Sequence, residues 1–137
     1  MAESVIVDAG FLIALLSRRD RHHSWAAAQA SQRSLPWKTC EAALSEAFYL
    51  LGPRGRPSLA ALLGRSALVS AFAFADEQPR VLDLMQKYAD VPMSIADACL
   101  VRMSETLSNP LVLTTDADFR VYRRHSRQVI PCVSPSY

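Results

Sequence analysis

Four acidic residues stand where chemistry is possible. Asp8 follows "VIV", three β-branched aliphatics that read as a short buried strand, and Asp116 follows "LVLTT" in the same way. Asp97 falls in the first turn of a helical stretch, "SIADACLVRM". Glu46 lies inside "EAALSEAFYLLG", where its neighbours at helical spacing, Ala42, Ala43, Tyr49 and Leu50, are apolar. That face offers a carboxylate little water, and no Lys or Arg is at helical spacing, so Glu46 needs a partner from elsewhere. The aspartates also have ordinary structural explanations. Asp8 can cap the helix that starts near Ala9, Asp116 can cap the turn through "DADF", and Ser94 with Asp97 resembles a capping box.

Gathered into one site, the four acids would conflict. Two like charges about 5 Å apart repel by roughly 3 kcal/mol at an effective dielectric near 20, so the cluster would protonate or splay apart. A divalent cation removes the conflict. Oxygen ligands without a nearby Cys or well-placed His suit Mg2+ or Mn2+ rather than zinc. Such a site activates water and neutralises charge building on a phosphodiester.

Helix and strand patterns alternate along the 137 residues. "GFLIALLSRRD" reads as a helix with Phe11, Leu12, Leu15 and Leu16 on one side, followed by the Ala-rich helix "HHSWAAAQASQR". "PWKTC" is a short strand, "EAALSEAFYLLG" a helix ended by Gly52 and Pro53, "GPRGRP" a flexible loop and "SLAALLGRS" a short helix. "ALVSAFAF" holds a strand, "DEQPRVLDLMQKYAD" is a helix with Pro79 in its first turn, and "SIADACLVRMSETL" is another helix. "LVLTT", a turn through "DADFRVYRR" and a last strand "QVIPCV" complete the pattern. The alternation predicts an α/β layer structure with a mostly parallel central sheet. In such sheets the functional crevice lies beyond the carboxyl ends of the strands, which is where Asp8 and Asp116 fall.

With 50% hydrophobic and 20% charged residues, the chain is expected to form one globular domain over residues 1–137 without disulfides. Its three cysteines, Cys40, Cys99 and Cys132, are scattered without metal-ligand spacing and read as small core residues of a cytoplasmic protein. The longest apolar run, "FLIALL", is too short to span a bilayer. The net charge is only +2, yet thirteen Arg stand against two Lys, a bias compatible with phosphate recognition. His22, His23 and His125 read as surface or helix-start residues, and Trp25 and Trp37 as core or interface residues.

The segments "VIVDAGFLIALL", "TCEAALSEAFYLL", "SIADACLVRM" and "LTTDADF" resemble, in order, the four acidic segments of PIN domains, and most closely the VapC-type toxin ribonucleases of bacterial toxin–antitoxin pairs. The resemblance implies an α/β/α sandwich with a five-stranded, mostly parallel sheet and a Mg2+- or Mn2+-dependent endoribonuclease that leaves 3′-hydroxyl and 5′-phosphate ends. It also implies an antitoxin partner and a homodimer. Carried over, Asp8, Asp97 and Asp116 hold the metal directly or through water, and Glu46 completes the acidic pocket. Many PIN domains place Thr or Ser after the first Asp, whereas this chain has Ala9 and Gly10. Asp118 and Glu41 are accessory candidates; Asp116 is preferred over Asp118 because it follows the strand directly, and Glu41 also suits a helix N-terminus electrostatically.

Around an acidic pocket, a basic rim would hold RNA phosphates. The candidates are Arg18, Arg19 and Arg21 after the first helix, Arg54 and Arg56 in the Gly/Pro loop, and Arg120, Arg123, Arg124 and Arg127 after Asp116. Two rival functions use the same residues: a PIN-fold RNA- or protein-binding module that has lost catalysis, and a structure-selective DNA nuclease. The chain has no inserted arch or clamp for a DNA flap, which ranks the latter lower.

Overall fold

The computed structural model describes residues 2–136. In chain order its elements are β1 (Ser4–Val7), α1 (Ala9–Leu16), α2 (His23–Gln32), β2 (Trp37–Thr39), α3 (Glu41–Gly64), β3 (Leu68–Ser70), α4 (Phe74–Lys87), α5 (Ile95–Thr106), β4 (Pro110–Leu113), β5 (Arg123–Arg124), β6 (Gln128–Val129) and β7 (Cys132–Val133). Five strands form one parallel sheet in the order β3-β2-β1-β4-β7, and β5 and β6 form a separate antiparallel hairpin. The expected α/β architecture with a five-stranded parallel sheet is therefore present.

Period-two alternation along the strands divides the core. In β1, Ile6 joins a cluster with Val81 and Leu84 of α4 and Leu100, Val101 and Met103 of α5. Val5 and Val7 point the other way, into a cluster with Phe11 and Leu12 of α1, Ala26 of α2 and Leu59 and Leu62 of α3. Each fully buried Val, Leu, Ile, Phe or Met among these contributes roughly 1.5–3 kcal/mol. Phe11 anchors its layer edge-on to Trp25 and Trp37, with ring centroids 5.9 and 5.6 Å away.

The strand order makes β1 and β4 the centre. From β1 the chain builds outward through β2 and β3 on one side, and through β4 and β7 on the other. The crevice beyond the carboxyl ends of β1 and β4 is thus the topological switch point.

The structure corrects several expected elements. "GPRGRP" is no loop: Gly52, at φ 66° and ψ −170°, makes a one-residue joint within α3, and the helix resumes at Pro53. Gly alone adopts that backbone without strain, and proline's fixed φ suits the first position of the resumed helix. Pro79 is not in a first turn, because α4 begins at Phe74 and draws Asp76 and Glu77 into its positive end. "QVIPCV" is split: Gln128–Val129 pairs with Arg123–Arg124, and only Cys132–Val133 reaches the sheet. α1 stops at Leu16, and its most buried residues are Ala9, Phe11, Leu12 and Ala14, with Leu15 and Leu16 only half-buried. Cys40 and Cys99 are buried, Cys132 is half-buried, and all three are free. Among the described residues no helix is long and apolar enough to cross a membrane.

Candidate active site

Asp8 leaves the end of β1 still bound to the sheet, its N–H donating to the Leu113 carbonyl at 3.3 Å. Its carboxylate caps α1, with Oδ1 accepting from the Phe11 N–H at 2.8 Å. Oδ2 accepts from the Thr114 hydroxyl. The same hydroxyl oxygen accepts from the Asp116 N–H at 2.8 Å, so one threonine joins the first and last acidic segments. Asp116 in turn caps the short 3-10 turn Ala117–Arg120, accepting from the Asp118 N–H at 2.9 Å. At α5, Ser94 Oγ accepts from the Asp97 N–H at 3.0 Å, and Asp97 Oδ2 accepts from the Tyr122 hydroxyl at 2.9 Å.

The capping and site explanations therefore coexist: the carboxylates of Asp8 and Asp116 serve as caps, and both also line a cavity. This cavity, about 150 Å³, is bounded by Asp8, Gly10, Glu46, Asp97, Thr115 and Asp116, with Ala9, Ala96 and Leu100. Four elements or their junctions thus bring together all four predicted acids. Contrary to expectation, Asp116 does not follow β4 directly. β4 ends at Leu113, Thr114 continues the ladder by donating to Val133 O at 3.1 Å, and Thr115 intervenes.

The electrostatics follow from this crowding. Burial pushes the Asp8 carboxyl up to about 7, opposed by the bonds from Thr114 and Phe11 and reinforced by repulsion from Asp97 and Asp116. Asp97 is pushed up to about 6, first by burial, against the Tyr122 bond, and then by repulsion from Asp116, Glu46 and Asp118. Asp118 is also raised, by burial and by Asp116 beside it. Among the described residues no three His, Cys, Asp or Glu side chains converge closely enough to hold a metal ion on their own. The donor set fits a hydrated hard cation, since Mg2+ keeps several waters and is commonly bound through one or two carboxylates.

Glu46 reaches the cavity for a different reason from the one expected. It is exposed, as are Tyr49 at 77% and Leu50 at 57%, so this face of α3 is open to solvent. Asp118 sits beside Asp116 but not among the cavity-lining residues. Glu41 lies elsewhere, lining a separate apolar cavity of about 450 Å³ with Cys40, Phe72, Phe74, Ile95 and Cys99.

The arginines divide in the same way. Arg18, Arg19 and Arg54 line one cavity of about 480 Å³ with Ile13, Leu16 and Leu50. Arg21 Nε donates to His22 Nε2 at 3.0 Å, and Arg56 Nε donates to the Phe48 carbonyl at 3.1 Å. Arg123 turns inward to the carbonyls of Arg120, Val121 and Tyr122, while Arg120 donates to Ser134 Oγ at 2.7 Å. Arg124 lies half-buried on β5, and Arg127 is exposed. His23 starts α2 with its Nδ1 2.9 Å from the Ala14 carbonyl.

Thr114, Thr115 and Tyr122 are site residues that sequence reasoning misses. The hydroxyl on Asp8 comes from Thr114, just beyond β4; a β-carbon on Gly10 would lie 2.1 Å from Thr115 Oγ1, so glycine at position 10 admits that side chain. The signal for the threonines is the "TT" between strand and acid, polar residues placed where a strand ends.

An acid-lined cavity at the switch point of a five-stranded parallel sheet defines the class of protein: an α/β fold with a carboxylate centre. The chain belongs to the PIN domain family, whose model matches residues 5–124. Its fold is similar to the crystal structure of VapC20 from Mycobacterium tuberculosis, a toxin described as cleaving the sarcin–ricin loop. The two share a TM-score of 0.78 and 21% sequence identity over 86% of this chain and 94% of that one. No curated protein matches the chain.

Proposed function

We propose that this chain is a Mg2+- or Mn2+-dependent endoribonuclease of the VapC-like kind, the toxin of a toxin–antitoxin pair. One observation carries the reading: Asp8, Glu46, Asp97 and Asp116, from segments far apart in sequence, line a single cavity at the switch point. Asp8, Asp97 and Asp116 would hold the ion directly or through water, and Glu46 closes the acidic wall from the solvent side. When bound, the ion supplies an activated water and neutralises charge developing on the phosphodiester. Asp8 is fixed by two hydrogen bonds and excluded from bulk water, so its carboxylate needs no reorganisation during the reaction. Arg18, Arg19 and Arg54 offset the repulsion between the acids and an approaching RNA. The fold shared with a toxin described as cleaving the sarcin–ricin loop supports RNA over DNA as substrate, and the antitoxin partner and homodimer belong to the proposal through the resemblance of the four acidic segments to VapC-type toxins.

The test is cleavage of a mixed RNA pool with Mn2+, with EDTA, and by the Asp97→Asn variant shown to be folded. Expected are metal-dependent cuts with 5′-phosphate ends that the variant does not make. Cleavage that persists in EDTA, or 2′,3′-cyclic phosphate products, overturns the reading. A folded wild type that cuts DNA but not RNA overturns its substrate.

A further inference from the structure

Each aspartate of the cavity is held by a hydrogen bond to its carboxylate, but the holder differs. Asp8 is held by a backbone N–H and Thr114, and Asp116 by the Asp118 N–H. Asp97 is held by a tyrosine from 25 residues downstream. An ionised carboxylate can only accept, so the Tyr122 hydroxyl is the donor.

The surroundings of Tyr122 exceed what a surface turn requires. The residue is fully buried. Its ring meets Phe119 edge-on at 5.2 Å and Tyr88 at 5.1 Å. The Tyr88 hydroxyl accepts from the Arg123 N–H at 2.9 Å, which ties the same cluster to the backbone next to Tyr122. A ring clamped on two sides leaves its hydroxyl one place to point, the Oδ2 of Asp97. The backbone of Asp97 is fixed independently by Ser94 at the start of α5. With Oδ2 occupied and the main chain capped, the rotamer of Asp97 is set, and its other oxygen remains for whatever the cavity binds.

We propose that Tyr122 is a positioning residue for the metal: its hydroxyl orients Asp97 as a ligand, and removing that single bond weakens divalent-cation binding while the fold persists. The inference rests on the proposed metal site and adds a residue to it. Outer partners of this kind change metal affinity by about 10–100-fold when removed.

The experiment measures Mn2+ affinity directly, from the electron paramagnetic resonance signal of free Mn2+ titrated into the folded protein. Wild type is compared with Tyr122→Phe, which keeps the ring, and with Tyr88→Phe, which removes a hydroxyl from the same aromatic cluster but touches no acid. Expected are a loss of about tenfold or more in Tyr122→Phe and unchanged affinity in Tyr88→Phe, even where both lower the melting temperature. In an Asp97→Asn background, Tyr122→Phe should have no further effect on affinity. Equal affinity in wild type and Tyr122→Phe overturns the inference, as does an additive loss in the Asp97→Asn background. A wild type that binds no Mn2+ overturns the metal reading itself. If Tyr122→Phe does not fold, 3-fluorotyrosine labelling replaces it: the Tyr122 resonance should shift on adding Mg2+ to the native sequence and should not in folded Asp97→Asn, and a Tyr122 silent in the native sequence overturns the inference.

Discussion

Replacing Asp8 with Asn should make the metal-free protein more stable at neutral pH. The folded carboxyl holds its proton up to about pH 7, whereas the unfolded chain releases it near 3.8. Between those values the folded state binds more protons, so raising the pH favours unfolding: the penalty is absent below 3.8 and complete above 7. At about 1.4 kcal/mol per pH unit, it reaches about 4 kcal/mol at pH 8. Asparagine keeps the shape and removes the charge. Its carbonyl still accepts from Phe11, and its amide donates to Thr114 Oγ1, whose two lone pairs also serve the Asp116 N–H. Urea unfolding in EDTA at pH 5 and pH 8 is the assay. The wild type should lose stability between the two values, and Asp8→Asn should lose less, keeping only the smaller loss that Asp97, pushed up to about 6, still contributes, and should exceed the wild type at pH 8 by up to about 4 kcal/mol. A variant no more stable than wild type at pH 8 would refute the argument, because Asp8 would then carry no buried-charge penalty for a cation to relieve.

Other perturbations test the surrounding structure. Thr114→Val removes the donor to Asp8 and the acceptor of Asp116 N–H, and should cost about 1–3 kcal/mol in chemical denaturation along with most RNA cleavage. Gly10→Ala places a β-carbon 2.1 Å from Thr115 Oγ1 and should cost about 1–3 kcal/mol; Gly10→Ala combined with Thr115→Ala should recover most of it, and failure to recover would place the strain elsewhere. Adding Mn2+ at 100 times the dissociation constant of the wild type at pH 8 should stabilise it there by about 2.7 kcal/mol, and the same Mn2+ concentration should stabilise it less at pH 5 and Asp8→Asn much less at pH 8, read by calorimetry. Neutralising Arg18 and Arg54 together should weaken RNA binding and lower the slope of log affinity against log salt by about one for each phosphate no longer neutralised, with an unchanged slope removing them from the binding surface.

The parts of the fold that depend on local pattern are legible in the sequence. "VIV" before Asp8, "LVL" before Thr114 and the helices between them state the parallel sheet, and the switch point places Asp8 and Asp116 at one crevice. Glu46 does join them, but the reasoning that singles it out fails: apolar neighbours one turn away suggest burial, whereas Tyr49 and Leu50 face solvent. The proline and glycine signals mislead in detail. Gly52 and Pro53 do break a helix, but sequence does not reveal that the next one starts without a gap. Thr114 is marked only by its place between strand and acid and Tyr122 by nothing, because their bonds join residues 106 and 25 positions apart, which no periodicity encodes.

The pairing of β1 with β4 also bears on how the molecule is made. Ser4 to Val7 align with Pro110 to Leu113, so the central strand meets its second neighbour only across a loop of about a hundred residues. Closing such a loop costs entropy before any pairing repays it, and sheets dominated by distant pairings form slowly. During synthesis the first acid appears almost at once, but the threonine that holds it and the last acid arrive near the end of the chain. A partly made or truncated chain that stops before residue 110 has the residues of α1, α3 and α5 but lacks β4, so the four acids can come together only once synthesis is nearly complete.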